Sequence, residues 1–596
     1  MEARECIVKY KPIESPLEPP SQEPIKLAAR PSSLKGKTVV LLDNGKLTIG
    51  NTRILTELLR KSLEEEKVKE VIDIKAVQGA GDQPGLALFV EKNLRRITAT
   101  GVVDAVVLGL GDSGAFSVRL ALLALELEKN GLPTATICTD ALAPTAAMIA
   151  SASCPMLPVI TVRHPTWSAS EEEVTRTTLE ALPNIVFALV SSEEEIAAKL
   201  PAKRFVSMRE FPSSSTEKMY RGGVDASGRL ILEVDPGEVI YELYEKFCES
   251  KLCDGFPIIP PTAERVSAML RYTDREPGHI IVDRVIPAMA PVTIRKLAVN
   301  AVMAGCKPEY FPIIVTAFEA MAEPQYNLGQ GNTTFGMVGP GVIVSGPIAD
   351  EIGMNSGKGL LSPGCRANST IGRAIFLALN NVCGSVPGLT DNSGIGSPVK
   401  YSYCFAEQRE ANPWKTLNEE FFGAKTTTVT VLRMQDPHSV MDHSSETASD
   451  LMTTIAEVAR CPEKPLNQPI ANHPSSGVII LSPDHARVLL REGWSKSDVR
   501  SFLFEHCRNK ADQSKHTSLL RRGFRPTLPG WMYHTYDNRI PVFLSPEDIL
   551  IVVAGGLGPH SAVCMPWGAS KPVTKAVSLR DGKPVESVNQ LVRQNK

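Results

Sequence analysis

The sequence predicts an α/β fold in two bodies: an N-terminal doubly wound, flavodoxin-like parallel-sheet domain and a larger mixed α/β (α+β) second body. Three observations predict it. From Lys35 to about Arg221, short β-branched or apolar runs alternate with amphipathic stretches, the pattern of a parallel sheet with crossover helices. Those runs are continuously apolar, as strands buried on both faces require. A Ser/Gly-rich stretch, FPSSSTEKMYRGGVDASG, then interrupts the pattern, and the remainder of the chain mixes long helices with strands.

Taken in order, residues 1–34 form a Pro-rich arm of mixed charge that lacks the apolar run of a signal peptide. The domain at 35–222 reads TVVLLD, ILTELLRKSLEEE, VIDIKAV, GLALFVEKNLRRIT, AVVLGLGD, FSVRLALLALELEKNG, TATICTD and PVITVRHP, strand and helix by turns. The domain at 223–425 opens with a helical pattern and a Pro-rich loop. Two long helices come next, separated at Gly305 and Pro308, where a helix cannot continue smoothly. Its 327–398 stretch, rich in Gly, Asn, Ser and Pro but interleaved with apolar pieces, is organised loop. The unit at 426–596 carries strands such as TTTVTVLRM, GVIILSP and DILIVVAGG between helices, and is expected to pack with the domain before it.

Lys+Arg 64 against Asp+Glu 66 leaves a formal net charge of -2, and like charges never run longer than Glu64–Glu66. Nucleic acid and anionic membrane are therefore poor partners. Apolar runs fall well short of the roughly 18 residues that a membrane-spanning helix needs. Twelve scattered cysteines without a CxxC pair fit reduced thiols in a cytoplasmic protein better than a secreted disulfide framework. Cys248 and Cys253 are the closest pair, and two buried, inert thiols are expected there. A small-molecule substrate is the expected partner, the residues name neither cofactor nor metal, and a closed homo-oligomer is the base-rate expectation for so long a chain.

In an open parallel sheet, ligands gather outside the carboxyl ends of the strands, where loops and helix N-termini expose N–H groups. Those ends carry Asp43, Asn44, Gly45 and Lys46 after the first strand, and Asp112, Ser113 and Gly114 after the third. Thr139 and Asp140 come after the fourth, and His164 and Pro165 after the fifth. Each alone is a turn or N-cap residue; four clusters on one rim read as a ligand site. GLGDSG lacks a third glycine and comes after the wrong strand for a dinucleotide fingerprint, and GKG at 357–359 is not a Walker sequence.

In the second body, Asn332, Thr333, Thr334, Asn355, Arg366 and Asn368 are interleaved with glycines. Such a mixture either binds an anion through amides and a guanidinium fork or braces the fold through Asx turns. Cys365, beside Arg366, is the cysteine best placed to be reactive, with Cys564 next. Asp436, His438, Asp442 and His443 bring four metal-ligand side chains together at no known catalytic spacing. His560, on GGLGPHSAVCMPWG, offers a titratable imidazole for acid/base work.

GLGDSGAFSVRLALLALELEKNGLPTATICTDAL resembles the segment that names the UGSC (seleno)protein family. There a strand ends in Asp, then selenocysteine or cysteine, Gly, Ser and Cys, before a helix with an ELEK-like end. CDGFPIIPPTAERVSAML, SGPIADEIG, GCRANSTIGRAI, KYSYCFAEQREANPW and HARVLLREGWSKSDVRSFLFEH are similar to the family as well, so the likeness runs from Val40 to about Gly568. The resemblance implies a small-molecule enzyme with a thiol or selenol role. Here the four motif positions are Ser113, Gly114, Ala115 and Phe116, which leaves only the glycine. Neither a hydroxyl nor a phenyl ring cycles between thiol and disulfide.

The expectation is therefore a cytoplasmic small-molecule-metabolising enzyme of non-redox type, lyase, transferase or hydrolase-like. Its site lies at the domain junction, with Ser113, Asp112, His560 and Cys365 as catalytic candidates. A thiol-dependent oxidoreductase or sulfur-transfer enzyme working through another cysteine, and a non-catalytic binding subunit, are the alternatives.

Overall fold

The computed structural model describes residues 4–8, 15–17, 23–44, 52–77, 83–166, 169–205, 218–224, 230–232, 236–460, 476–510, 539–543, 545–567 and 570–593. The N-terminal body alternates β1 (Thr38–Asp43), α1 (Thr52–Glu65), β2 (Glu70–Lys75), α2 (Gln83–Thr98), β3 (Ala105–Gly111), α3 (Gly114–Lys129), β4 (Thr134–Thr139), α4 (Ala143–Ser151), β5 (Val159–Val162) and α5 (Glu171–Val190). The five strands pair in parallel in the order β2-β1-β3-β4-β5. β3 and β4 are buried along their whole length, as central strands covered by helices on both faces must be. The strand order reverses between β1 and β3, and the crevice outside their carboxyl ends is where such sheets bind ligands.

Residues 23–34 lie along this body. Arg30 grips the buried carboxylate of Glu128 on α3 through both terminal nitrogens, at 2.8 and 2.7 Å. The same carboxylate takes the amides of Ala28 and Thr134. Residues 15–17 reach the second body, where Lys296 Nζ donates to the Ser15 carbonyl at 2.8 Å.

The second body begins with α6 (Pro236–Glu249). After a short helix at Ala263–Leu270 and a two-stranded hairpin (Ile280–Val285, Ala290–Thr293) come α7 (Ile294–Ala304) and α8 (Phe311–Met321), divided by Gly305 at φ 87° and the Pro308 turn, as the sequence predicts. Then come β6 (Gly339–Ser345), α9 (Arg366–Asn381), β7 (Cys404–Ala406), β8 (Thr428–Met441), α10 (Ala448–Ala459), β9 (Gly477–Leu481), α11 (Pro483–Arg491), α12 (Lys496–His506), β10 (Ile549–Val553), β11 (His560–Pro566) and β12 (Val573–Ala576). They build a seven-stranded mixed sheet in the order β7-β6-β8-β11-β9-β10, with β12 on β8.

The sheet is strongly curled, so the loop after edge strand β7 meets edge strand β10, Gln408 N donating to Val553 O at 2.9 Å. Its inner face encloses Ile343, Tyr403, Phe405, Leu432, Ile480, Val552 and Cys564. Its outer face packs on α7, α8 and α9 at one side, and on α10 and α12 at the other. Among the described residues, no helix is long and apolar enough to cross a membrane.

Candidate functional site

The carboxyl rim of the parallel sheet faces the second body, and the contact is close. α3 begins at Gly114, and a Cβ there would stand 1.7 Å from the Thr333 carbonyl oxygen, so only glycine permits this seating. Asn392 stitches the same place, its amide lying within hydrogen-bond distance of Thr145 Oγ1 on α4 (2.9 Å) and of the carbonyls of Thr333 and Thr390 (both 3.0 Å). Ser393 holds the next turn of the 333–336 loop through the Gly336 carbonyl at 2.6 Å. Met148 of α4 packs on Val386 and Leu389. The α3 N-terminus, expected as an open anion site, is thus covered by a backbone carbonyl from the second body.

The open part of the rim runs from β3 to β5. Thr139 Oγ1, at the end of β4, lies 3.5 Å from the Gly111 carbonyl and 3.1 Å from His164 Nδ1. With the hydroxyl donating to the carbonyl, Nδ1 carries the ring proton and Nε2 is left as an acceptor. Asp140 Oδ1 takes the amides of Ala141 and His164 at 2.8 and 2.9 Å and so fixes the turn that carries the imidazole. The His164 ring lies against Phe335 of the second body, centroids 5.7 Å apart. Ser113 is the N-cap residue of α3 and is half-buried, but its side chain makes no cap bond, which leaves the hydroxyl available to a ligand.

Asp112 is buried behind Ser113. Burial, opposed by Ser117 and reinforced by Asp112, pushes the neighbouring Cys138 thiol up to about 12. Phe116, at the last motif position, packs edge-on to Phe89, with Arg119 over both rings.

Below the rim, at the switch point, a cleft lies between β1, β3 and α1, lined by Leu42, Asp43, Asn44, Leu55, Leu59 and Leu110. Asn44 spans the switch point, donating to the Leu110 carbonyl at 3.0 Å. Gly45 and Lys46 lie outside the described residues.

Other candidates are spent internally or lie elsewhere. Asn332 is buried, its amide on the Ile286 carbonyl and its oxygen on Arg433. The Thr333 hydroxyl bonds within its own turn, and Thr334 Oγ1 accepts from Gly336 N. These are bracing roles, since short polar side chains in Gly-rich chain satisfy nearby backbone.

Cys365, Arg366 and Asn368 begin α9, whose far end meets the N-terminal body. Sixteen residues of helix, roughly 24 Å, separate them from the rim. Arg366 spends its guanidinium on the Gly305 carbonyl, and Asn368 binds both the amide and the carbonyl of Asn355.

His560 starts β11, while Trp567, just past the other end, lies against Gly336 of the junction loop. That strand is roughly 20 Å long, so His560 is not brought to Ser113. It joins His443, rings 5.4 Å apart, beside a buried pair in which His485 Nδ1 meets Ser561 Oγ at 2.7 Å. Among the described residues, no three His, Cys, Asp or Glu side chains gather as a metal site. Cys306 and Cys564 are buried, and burial pushes both up to about 12.

Asn392, Thr145 and Phe335 went unrecognised in the sequence. The signal for Asn392 and Phe335 was their position within the Gly/Asn-rich 327–398 stretch.

Residues 12–191 match the family model described as UGSC family. The N-terminal body is a UGSC-family domain. The matched range includes the rim and Ser113, Gly114, Ala115 and Phe116, the residues that the resemblance aligns with the family's motif. No curated protein matches the chain. Among solved structures, the 3-alpha-hydroxysteroid dehydrogenase from Pseudomonas sp. B-0831, complexed with NADH, is similar at 19% identity over 27% of this chain and 69% of that one. The TM-score of that match is 0.14.

Proposed function

We propose that the protein is an enzyme of small-molecule metabolism acting by non-redox chemistry at the junction between the UGSC-domain rim and the second body. The observation that carries this reading is the hydrogen-bonded run from the Gly111 carbonyl through Thr139 to His164, which orients an imidazole at the rim beside Phe335. Ser113 lies just past β3 and His164 just past β5. Two strand spacings, roughly 10 Å, lie between their backbones. That separation does not suit a direct Ser–His nucleophilic pair; it suits a small substrate lying between a base and a donor.

In this reading His164 Nε2 takes a proton from the substrate, and the Ser113 hydroxyl donates a hydrogen bond to the oxyanion that develops. Lyase-type chemistry fits this arrangement better than acyl transfer. The test is untargeted profiling of a small-molecule extract incubated with the wild-type chain, Ser113→Ala and His164→Gln. A metabolite consumed by the wild type and spared by both variants is expected; equal consumption by all three overturns the reading.

A further inference from the structure

The sequence leads one to expect Cys248 and Cys253 as buried, inert thiols, and the structure corrects the burial. Both are half-buried, and their Sγ atoms stand 3.0 Å apart. The cause is local. α6 ends in a turn in which Lys251 takes a left-handed φ of 53°, Leu252 N donates to Phe247 O at 2.8 Å, and Lys251 N donates to Cys248 O at 3.0 Å. This pair of bonds folds the chain back over the last helical turn, as in a Schellman motif, and lays Cys253 on Cys248. Burial, then the contact with Cys248, pushes the Cys253 thiol up to about 12, so at neutral pH it keeps its proton.

What surrounds the pair holds it in place. Tyr244 Oη donates to the Gly255 carbonyl at 2.7 Å, and Asp254 is held in two bonds by Arg373 of α9, at 2.7 and 2.8 Å. Both sulfurs are thereby held near each other and half-buried, with Cys253 packed at the edge of the core that encloses Cys306 and Cys404. A disulfide bond is about 2.05 Å long, so closure asks for a shift of only about 1 Å.

We propose that Cys248 and Cys253 form a reversible dithiol–disulfide couple, a redox site for hydrogen peroxide that is separate from the rim. Cys248 Sγ attacks one peroxide oxygen, the O–O bond breaks, one water leaves, and Cys248 becomes a sulfenic acid. Cys253 Sγ then attacks that sulfur, the S–S bond forms, and the second water carries away the hydroxyl with the Cys253 proton. Two electrons pass from the two sulfurs to the peroxide, and a dithiol reductant reverses the reaction. The disulfide staples the end of α6 to the 253–259 loop and, through Asp254, to α9.

The test uses the full-length protein treated with hydrogen peroxide under native conditions, then alkylated and digested with trypsin. Cleavage after Lys251 places the two cysteines on separate peptides, 247–251 and 252–265, which stay joined only by the disulfide. The expected result is that joined pair, with roughly nine-tenths of the alkylation of Cys248 and Cys253 lost together and restored by dithiothreitol. In Cys253→Ser, Cys248 is expected to give a dimedone adduct on peroxide treatment. Full alkylation of both cysteines after peroxide, joining of either to a third cysteine, or no adduct in Cys253→Ser overturns the proposal.

Discussion

The UGSC-domain rim and the distal loops of the second body are written in the same residues, yet they use them in different ways. At the rim, Asp140 and Thr139 spend their hydrogen bonds on placing another residue, His164, through its backbone amide and its Nδ1. At the distal loops, Asn368 closes both ends of its amide on Asn355, and Arg366 closes on Gly305. His485 closes on Ser561 and the Asp442 carbonyl. The difference lies in position: strand ends of a parallel sheet point their loops at a shared edge, and a second body stands across from that edge. Loops that only join elements use the same polar groups to satisfy their own backbone.

That contrast can be broken most directly by activity. His164→Gln is expected to lower turnover by about 10²–10⁴-fold, the usual worth of a positioned acid or base. His560→Ala and Cys365→Ser are expected to leave it within roughly threefold, because neither side chain reaches the rim. Steady-state rates on the metabolite found by profiling decide it; a reversed order would move the site to the distal loops.

The next largest effect concerns the seating of the two bodies. Gly114→Ala puts a methyl group into the Thr333 carbonyl, and overpacking of this kind costs roughly 3 kcal/mol. Urea unfolding, together with limited proteolysis between the bodies, would show a lower midpoint and faster cleavage; an unchanged midpoint would mean the rim contact is looser than the structure shows. Asn392→Ala removes a donor shared by the two bodies and is expected to cost about 1–2 kcal/mol by the same measurement.

The smallest effect is a pH dependence at the distal loops. Burial lowers the pKa of His485, against the pull of the Asp442 carbonyl and the nearby carboxylates. The unfolded chain therefore takes up this proton first. The stabilisation is whole above the ordinary value of 6.5 and is lost as pH falls through the lower folded value. Denaturant midpoints for the wild type and His485→Gln, measured from pH 7.5 down to pH 5, should draw together as the pH drops; a constant gap would show that His485 does not titrate in this range.

Much of the frame was legible because burial writes it into the chain. β3 and β4 are apolar throughout since helices cover both faces, and Gly305 with Pro308 divides α7 from α8 because no helix runs through that pair. Rim positions such as Ser113 and His164 could be found because strand ends are visible in the pattern. Asn392 could not. Its partner Thr145 is 247 residues away, and nothing local in TDNSG says which surface it will meet. The curl of the second sheet was equally hidden, since pairing across it depends on register between strands far apart in sequence. The closeness of Cys248 and Cys253 was hidden for a simpler reason: composition speaks of burial, while the reversal at Lys251 that brings them together is a matter of backbone geometry.

Of the four positions that the resemblance aligns with the family's motif, Gly114 alone keeps its residue, and its lack of a side chain is what lets Thr333 approach. A fragment ending after α5 would keep every strand of the UGSC domain and still present half a pocket, with Met148 bared and His164 facing water in place of Phe335. Under the proposed function, catalytic competence would then belong to the covalent continuity of the chain, and an assay on the isolated domain would report the behaviour of an unroofed shelf.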